Sequence, residues 1–208
     1  MKIDRSRIVD AALDLLNEVG LDDFTTRALA QRLDVRQPAL YWHFRSKRAL
    51  LDAMNEEMLA RGMIRRDPER GEDWRVYLTE NARQFRGALL AWRDGARVHA
   101  GTEAGPQDLE GFEIQLRLLG EAGMSLPFAM NLLAAISRYT VGCVVEEQSE
   151  GVDAAAQQEL DMAAQAHPRA AVALAHYRSS GHAAFFEAGL RLLLDGAAAQ
   201  LGGSGGGA

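Results

Sequence analysis

The sequence predicts an all-α protein. Ala, Leu, Arg and Glu recur at helical spacing along most of the 208 residues, whereas alternating β-branched runs are scarce. Only five residues are proline, so few positions interrupt a helix. These observations favour a chain of successive helices joined by short polar turns.

Four helices are predicted in the N-terminal part of the chain. The first covers residues 5–19, because its apolar side chains share one face and Gly20 follows as a stop signal. The second begins after Thr25, a residue suited to capping a helix N-terminus, and the third begins at Pro38, which is favoured in a first helical turn. The fourth follows Ser46 as its N-cap and reaches the first long polar turn of the chain.

That polar turn, residues 64–72, contains Pro and Gly and separates the N-terminal head from a larger helical body. Residues 151–166 are rich in Ala, Gln and Asp and show no firm pattern. Elsewhere in the body, the periodicity predicts helices over 74–92, 94–100, 107–121, 126–150, 167–178 and 182–201.

The charge balance differs between the head and the body. The whole chain has a formal net charge of −6, but residues 1–50 hold nine Lys and Arg against seven Asp and Glu, a net of +2. A mildly basic head on an acidic body suits contact of the head alone with a nucleic acid.

Acidic side chains in the first helix argue against a secretory signal, and no apolar run approaches the roughly 20 residues of a membrane span. We therefore expect a soluble, cytoplasmic protein whose single cysteine, Cys143, is a small buried side chain.

The predicted helices 126–150 and 182–201 are apolar over more surface than one core requires. One interpretation is complete burial inside the body. The other is a homodimer interface, a four-helix bundle to which each subunit contributes both helices. A twofold dimer would also place two heads about one DNA turn apart, as a palindromic site requires.

The segment RLDVRQP joins the second and third helices as in a helix-turn-helix unit. Asp34 is the expected occupant of its positive-φ position, since Asp adopts that conformation more readily than most residues. Gln37 can hydrogen-bond base edges, and Arg27 can reach a guanine or a phosphate. Each such residue alone could be a solvated surface charge or part of the core of the head. Their ordered combination favours a DNA-binding surface. We expect Phe44 to belong to the core. The residues expected to contact DNA are Thr26, Arg27, Gln37, Pro38, Tyr41, Trp42, His43 and Lys47.

This stretch resembles the DNA-binding head of the tetracycline repressor (TetR) family. The resemblance runs through TTRALAQRLDVRQPALYWHFRSKRALL and continues in NARQFRGALLAWRDGARVHAGT and TVGCVVEEQ. It implies a TetR-like all-α fold and a homodimeric repressor of transcription that binds a palindromic operator. It also divides the chain into a helix-turn-helix head (1–46), a connecting helix (47–63), a ligand-binding and dimerisation body (64–201) and a flexible tail (202–208).

The resemblance of the body to tetracycline-responsive members of the family implies an effector site. The implied effector is a tetracycline-like drug bound as its Mg²⁺ chelate, with His99 as a direct metal ligand and Thr102 and Glu146 as ligands through water. No organic cofactor is implied. A hard divalent cation that keeps several waters needs few protein ligands when the effector supplies oxygens. The residues implied to bind the drug are Asn81, Phe85, His99, Thr102 and Gln115.

Four residues at three sites depart from the pattern of those relatives. Met63 stands where the resemblance would expect a drug-binding His, the pair Glu103 and Ala104 where it would expect Arg-Pro, and Ala39 where it would expect Thr. Loss of one buried hydrogen bond costs on the order of 1–3 kcal/mol, up to about a hundredfold in affinity. The alternative effector is therefore another aromatic polyketide, or an unrelated lipophilic molecule bound without metal.

Two other classes of protein agree less well with the sequence. A metal-dependent enzyme could be built on His99 and Glu146, but the chain has no HExxH motif and no Gly-rich phosphate loop. A dimerisation protein that does not bind DNA would leave the helix-turn-helix pattern without a purpose.

Overall fold

The computed structural model describes residues 3–64, 66–102, 105, 108–149 and 154–203. All regular elements in these residues are helices, as the sequence predicts. The chain forms two compact units, Met1–Val145 and Glu146–Ala208. The helices are α1 (Arg5–Asp23), α2 (Thr26–Arg32), α3 (Gln37–Tyr41), α4 (Lys47–Gly62), α5 (Trp74–Leu90), α6 (Gly95–Ala100), α7 (Leu109–Glu121), α8 (Leu126–Gln148), α9 (Ala154–Ala164) and α10 (Pro168–Gly203).

The predicted start and stop signals of the head are confirmed. The hydroxyl oxygen of Thr25 accepts a hydrogen bond from the N–H of Ala28 at the start of α2, and that of Ser46 accepts one from Ala49 at the start of α4. Regular α1 geometry is broken at Gly20, whose φ of 79° favours glycine. Each cap satisfies a backbone N–H that the helix itself cannot pair.

The turn between α2 and α3 has the geometry that the sequence predicts. Asp34 has a φ of 53°, and the N–H of Val35 donates to the carbonyl of Ala30 at 3.0 Å, which closes the turn. Leu40 and Phe44 are buried below it, so the expectation that Phe44 belongs to the core is confirmed. The head is thus held by a turn hydrogen bond and by apolar burial, which contributes about 1.5–3 kcal/mol for each large side chain.

Helix α4 connects the head to the rest of the first unit, because it packs against α1 and also against α5 and α6. Its buried side chains include Leu50, Met54 and Met58, which belong to the same apolar core as Phe85 and Leu89 of α5. One continuous core therefore runs from the head through α4 into the α5 and α6 region.

The C-terminal helices differ from prediction in one detail. The segment without a firm pattern contains α9, an Ala- and Gln-rich helix in which Ala164 is the only buried side chain among those described, so no apolar stripe marks it. The two predicted helices after it are confirmed as two helical segments of α10, which a kink at Gly181 divides, since φ there is 71°. Glu103, Ala104 and residues 204–208 of the predicted tail lie outside the described residues.

Helix α8 is the only one in the described residues that passes a test for a membrane span by length and composition, with a mean hydropathy of 1.5 over its most apolar window. A helix of a soluble core or interface passes the same test. Its Cys143 is half-buried in the single chain rather than fully buried.

Candidate functional site

The residues predicted to contact DNA lie on α2, on α3, in the turn that follows α3 and, for Lys47, at the start of α4. Trp42 is 89% exposed and Tyr41 46% exposed, although both are large aromatic side chains. Arg27 and Pro38 are also exposed, whereas Thr26 and His43 are half-buried. Exposed aromatic rings at the C-terminal end of α3 form a surface that can contact bases and sugar-phosphate.

Two side chains of this surface are held in place by hydrogen bonds. The Nε2 amide of Gln37 donates to Oγ1 of Thr26 at 2.8 Å, which links the start of α3 to the start of α2. The ammonium of Lys47 donates to the carbonyl of Phe24 at 2.7 Å and lies 5.5 Å from the centre of its ring. An ammonium has three N–H groups, so this bond leaves Lys47 with donors for a phosphate.

A cavity of about 360 Å³ lies within the first unit, between α4, α5, α6, α7 and α8. This volume is at the lower end of the range of small-molecule sites. All five residues predicted to bind the drug line it: Asn81, Phe85, His99, Thr102 and Gln115. Met63, the first departure from the pattern, lines it as well.

Polar side chains meet in this cavity across different helices. The Nε2 amide of Gln115 on α7 donates to Oδ1 of Asn81 on α5 at 3.2 Å. The rings of Phe85 and His99 meet edge to face, with their centres 5.0 Å apart. The hydroxyl of Thr102 donates to the carbonyl of His99 at 2.8 Å. The cavity thus combines apolar walls with a few oriented polar groups, as sites for small organic molecules do.

His99 has the properties of a metal ligand. Burial lowers its pKa, while the negative charge of Asp108 opposes that shift. A lowered pKa keeps the imidazole neutral at physiological pH, and a neutral imidazole is the form that binds a metal. Among the residues that the structure describes, no three His, Cys, Asp or Glu side chains lie close enough to hold a metal ion. A cation held by His99 would therefore need waters and the oxygens of an organic ligand to complete its coordination.

Glu146, the remaining predicted metal-site residue, is exposed in the last turn of α8 and belongs to the second compact unit. The role of Glu146 stays a prediction.

Four residues that line the cavity were not predicted from the sequence: Asn55, Arg66, Tyr77 and Asp108. The one available signal was Asn55, an amide within the apolar stripe of α4.

Helix α6 carries His99 and is bonded to the end of α1. The N–H of Leu21 donates to Oδ2 of Asp94 at 2.8 Å. Arg97 donates to the carboxylate of Asp22 at 2.7 and 3.0 Å. The N–H of Arg93 donates to Oδ1 of Asn17 at 2.9 Å. These bonds join one wall of the cavity directly to a helix of the head.

A helix-turn-helix head bonded to a domain with an internal small-molecule cavity defines a ligand-responsive DNA-binding regulator. Comparison with known families agrees with this class. The model described as bacterial regulatory proteins, tetR family, matches residues 8–54, and that described as tetracyclin repressor-like, C-terminal domain, matches residues 67–201. The chain belongs to the TetR family. It is therefore a dimeric regulator of transcription that binds operator DNA, and not an enzyme.

Individual relatives cover nearly all of the chain. The tetracycline repressor protein class A from transposon 1721 of Escherichia coli is 50% identical over 197 residues, which is 95% of this chain and 91% of that protein. A solved structure of the class A repressor in complex with 5a,6-anhydrotetracycline and magnesium is 47% identical and covers 94% of this chain and 98% of that one, with a TM-score of 0.72. ActR of Streptomyces coelicolor, in complex with (S)-DNPA, is 28% identical and covers 96% and 99% of the two chains, with a TM-score of 0.84.

Proposed function

We propose that this chain represses transcription from a palindromic operator and is released by a tetracycline-like drug bound together with Mg²⁺. The observation that carries the proposal is that all five residues expected to bind the drug line one cavity, although they come from three helices and the turn after α6. The 50% identity to a tetracycline repressor supports the same class of effector.

In this proposal His99 binds the cation directly, Thr102 contacts it through water, and Asn81 and Gln115 hydrogen-bond the drug. Bound Mg²⁺ would supply positive charge that attracts the keto-enol oxygens of the drug and orders its waters. Phe85 would cover a face of the drug, since it lies against the His99 ring. The further role of Glu146 follows only from the resemblance.

Release would begin at α6. A drug that draws His99 into the cavity moves a helix that is hydrogen-bonded to the end of α1 and packed against α4. Side chains of both helices belong to the same apolar core as those of the helix-turn-helix unit, α2 and α3. A changed head position in each subunit alters the separation of the two heads, so they no longer match successive major grooves. The effector must bind this released arrangement more tightly than the DNA-bound one, because otherwise no population shifts.

Dimerisation would use the exposed apolar side chains of α8 and those of α10. Leu126 and Met130 on α8 and Phe185 and Leu192 on α10 are each between 44% and 75% exposed in the single chain. Large apolar side chains in such numbers on two helices are typical of a surface that a partner covers. A dimer interface explains the apolar character of α8 without a membrane.

The test is a fluorescence-anisotropy titration of the purified protein on DNA from upstream of its own gene. Tetracycline with Mg²⁺ should abolish binding, whereas drug alone or Mg²⁺ alone should not. His99→Gln should bind DNA normally and fail to respond, and the exposed His182→Gln should respond as the unaltered protein does. Release that is independent of Mg²⁺ would contradict the metal role, and no release would contradict the effector class.

A second candidate is a regulator of the same family with a different organic effector that needs no metal. It is favoured by Met63, which presents a thioether to the cavity where tetracycline-responsive relatives are expected to have a His. A relative of the same fold binds (S)-DNPA, so the fold admits other effectors. Release by a non-chelating aromatic polyketide in the presence of EDTA would favour this candidate.

A further inference from the structure

The amide of Asn55 is buried at the wall of the effector cavity. Among the described residues, Thr140 and Asn55 are buried polar side chains, and Asn55 is 8% exposed. Thr140 bonds the carbonyl of Ile136 one turn earlier in its own helix. The partner of Asn55 is distant in sequence, because its Oδ1 lies 2.9 Å from Nδ1 of His99, 44 residues further along the chain.

The chemistry of the two groups decides which of them donates in this contact. A neutral imidazole has one N–H donor and one nitrogen lone pair, and a carboxamide oxygen can only accept. Because Oδ1 of Asn55 faces Nδ1, this contact is a hydrogen bond only when the proton lies on Nδ1, which leaves the lone pair on Nε2. The Phe85 ring at 5.0 Å restricts the tilt of the imidazole, but an apolar ring does not select between the two tautomers. Asn55 therefore supplies the selection.

We propose that Asn55 is a positioning residue that fixes His99 in its Nδ1–H tautomer and thereby reserves Nε2 for the cation carried by the effector. This inference rests on the proposed function, in which His99 binds that cation. Metal-binding histidines generally need a partner on the other ring nitrogen, and its loss typically weakens metal binding about 10–100-fold. Asn55 lies on α4, so the same hydrogen bond joins His99 of α6 to the helix that follows the helix-turn-helix head.

The first test reads the tautomer without any effector. Long-range ¹H–¹⁵N spectra of the intact protein distinguish Nδ1–H from Nε2–H rings, and the His99 signals are those absent from His99→Gln. The unaltered protein and Asn55→Asp should both show Nδ1–H, because a carboxylate of the same shape also accepts from that nitrogen. Asn55→Leu, similar in size but without an acceptor, should show a mixture of tautomers. An Nε2–H ring in the unaltered protein, or an unchanged tautomer in Asn55→Leu, would overturn the inference.

The second test measures effector binding with tetracycline and Mg²⁺ at pH 8. Asn55→Leu should weaken the Mg²⁺-dependent part of the affinity by about tenfold or more, whereas Asn55→Asp should restore it. Operator binding without effector should be unchanged in both, which separates a positioning role from a loss of folding. Equal weakening in the Asp and Leu variants would contradict the inference.

The two tests also separate failure of the inference from failure of the proposed function. If the unaltered protein does not bind tetracycline with Mg²⁺, the proposed effector is wrong. The spectra of the effector-free protein still decide whether Asn55 sets the tautomer of His99.

Discussion

A methyl group added at Gly95 would collide with the backbone of α5. An ideal Cβ at this position lies 2.2 Å from the carbonyl oxygen of Leu89, 3.1 Å from its carbonyl carbon and 3.1 Å from Cε of Met58. Carbon and oxygen atoms approach to about 3.3 Å even in weak hydrogen bonds. Gly95→Ala therefore requires the start of α6 to move away from α5 by about 1 Å, because the Leu89 carbonyl belongs to a helix and cannot rotate away.

This displacement should affect both stability and effector binding. Overpacking of this kind costs about 1–3 kcal/mol, which lowers the melting temperature of a chain of this size by roughly 2–12 °C. His99 lies four residues after Gly95 on the same short helix and moves with it. A misplacement of about 1 Å in a group that must be positioned for function can cost on the order of a hundredfold. Affinity for tetracycline with Mg²⁺ should fall accordingly.

The matched control is Gly87→Ala in α5, where an added Cβ meets no atom within 4 Å. Alanine in a helix interior is more stable than glycine by roughly 0.5–1 kcal/mol, so this variant should melt slightly higher and bind the effector normally. Melting is followed by circular dichroism, and effector binding by the fluorescence of the drug. A Gly95→Ala variant that melts at or above the unaltered protein and keeps its affinity would refute the close approach of α6 to α5.

Three further predictions follow from the same structure. Met63→His should raise tetracycline affinity about tenfold or more by restoring one hydrogen bond in the cavity, whereas Met63→Leu should not, as isothermal titration calorimetry would show. Leu192→Glu on α10 should convert the dimer to a monomer in sedimentation analysis and abolish operator binding, whereas Glu at the similarly exposed Leu109 of α7 should not. Hydrogen bonds from Arg66 lower the pKa of Glu72 to about 2 from 4.5, so this pair stabilises the fold above pH 4.5 and that stabilisation is lost as the pH falls towards 2. Glu72→Gln should remove this part of the acid dependence in denaturant unfolding.

Local signals in the sequence were sufficient for the head. Thr25 and Ser46 cap helices through bonds to residues three positions later, and Asp34 adopts its left-handed conformation within a single turn. Interactions of such short range depend on a few neighbouring residues, so sequence patterns report them directly. The break at Gly181 is equally local, and it falls between the two helices predicted there.

The cavity could not be derived in the same way. Asn55 and His99 are 44 residues apart, and Asn81 and Gln115 are 34 apart, so only tertiary packing brings the partners together. Resemblance to the family supplied His99, Asn81 and Gln115, but it could not supply Asn55. Helical periodicity predicts which residues of α4 face the core, and Asn55 lies beside the core residue Met54. Periodicity does not predict which residue of another helix the Asn55 amide contacts.

Helix α6 shows why the long-range contacts matter most for function. A helix of six residues is not stable alone, because too few hydrogen bonds offset the cost of starting it. Its position is therefore set by contacts with other elements: Asp94 and Arg97 with the end of α1, Gly95 with α5, and His99 with Asn55 of α4. An effector that binds His99 therefore acts on a helix that is held only by contacts of modest strength. A few kcal/mol of differential binding at this one helix can consequently redistribute the positions of the head, which a long self-stabilised helix would resist.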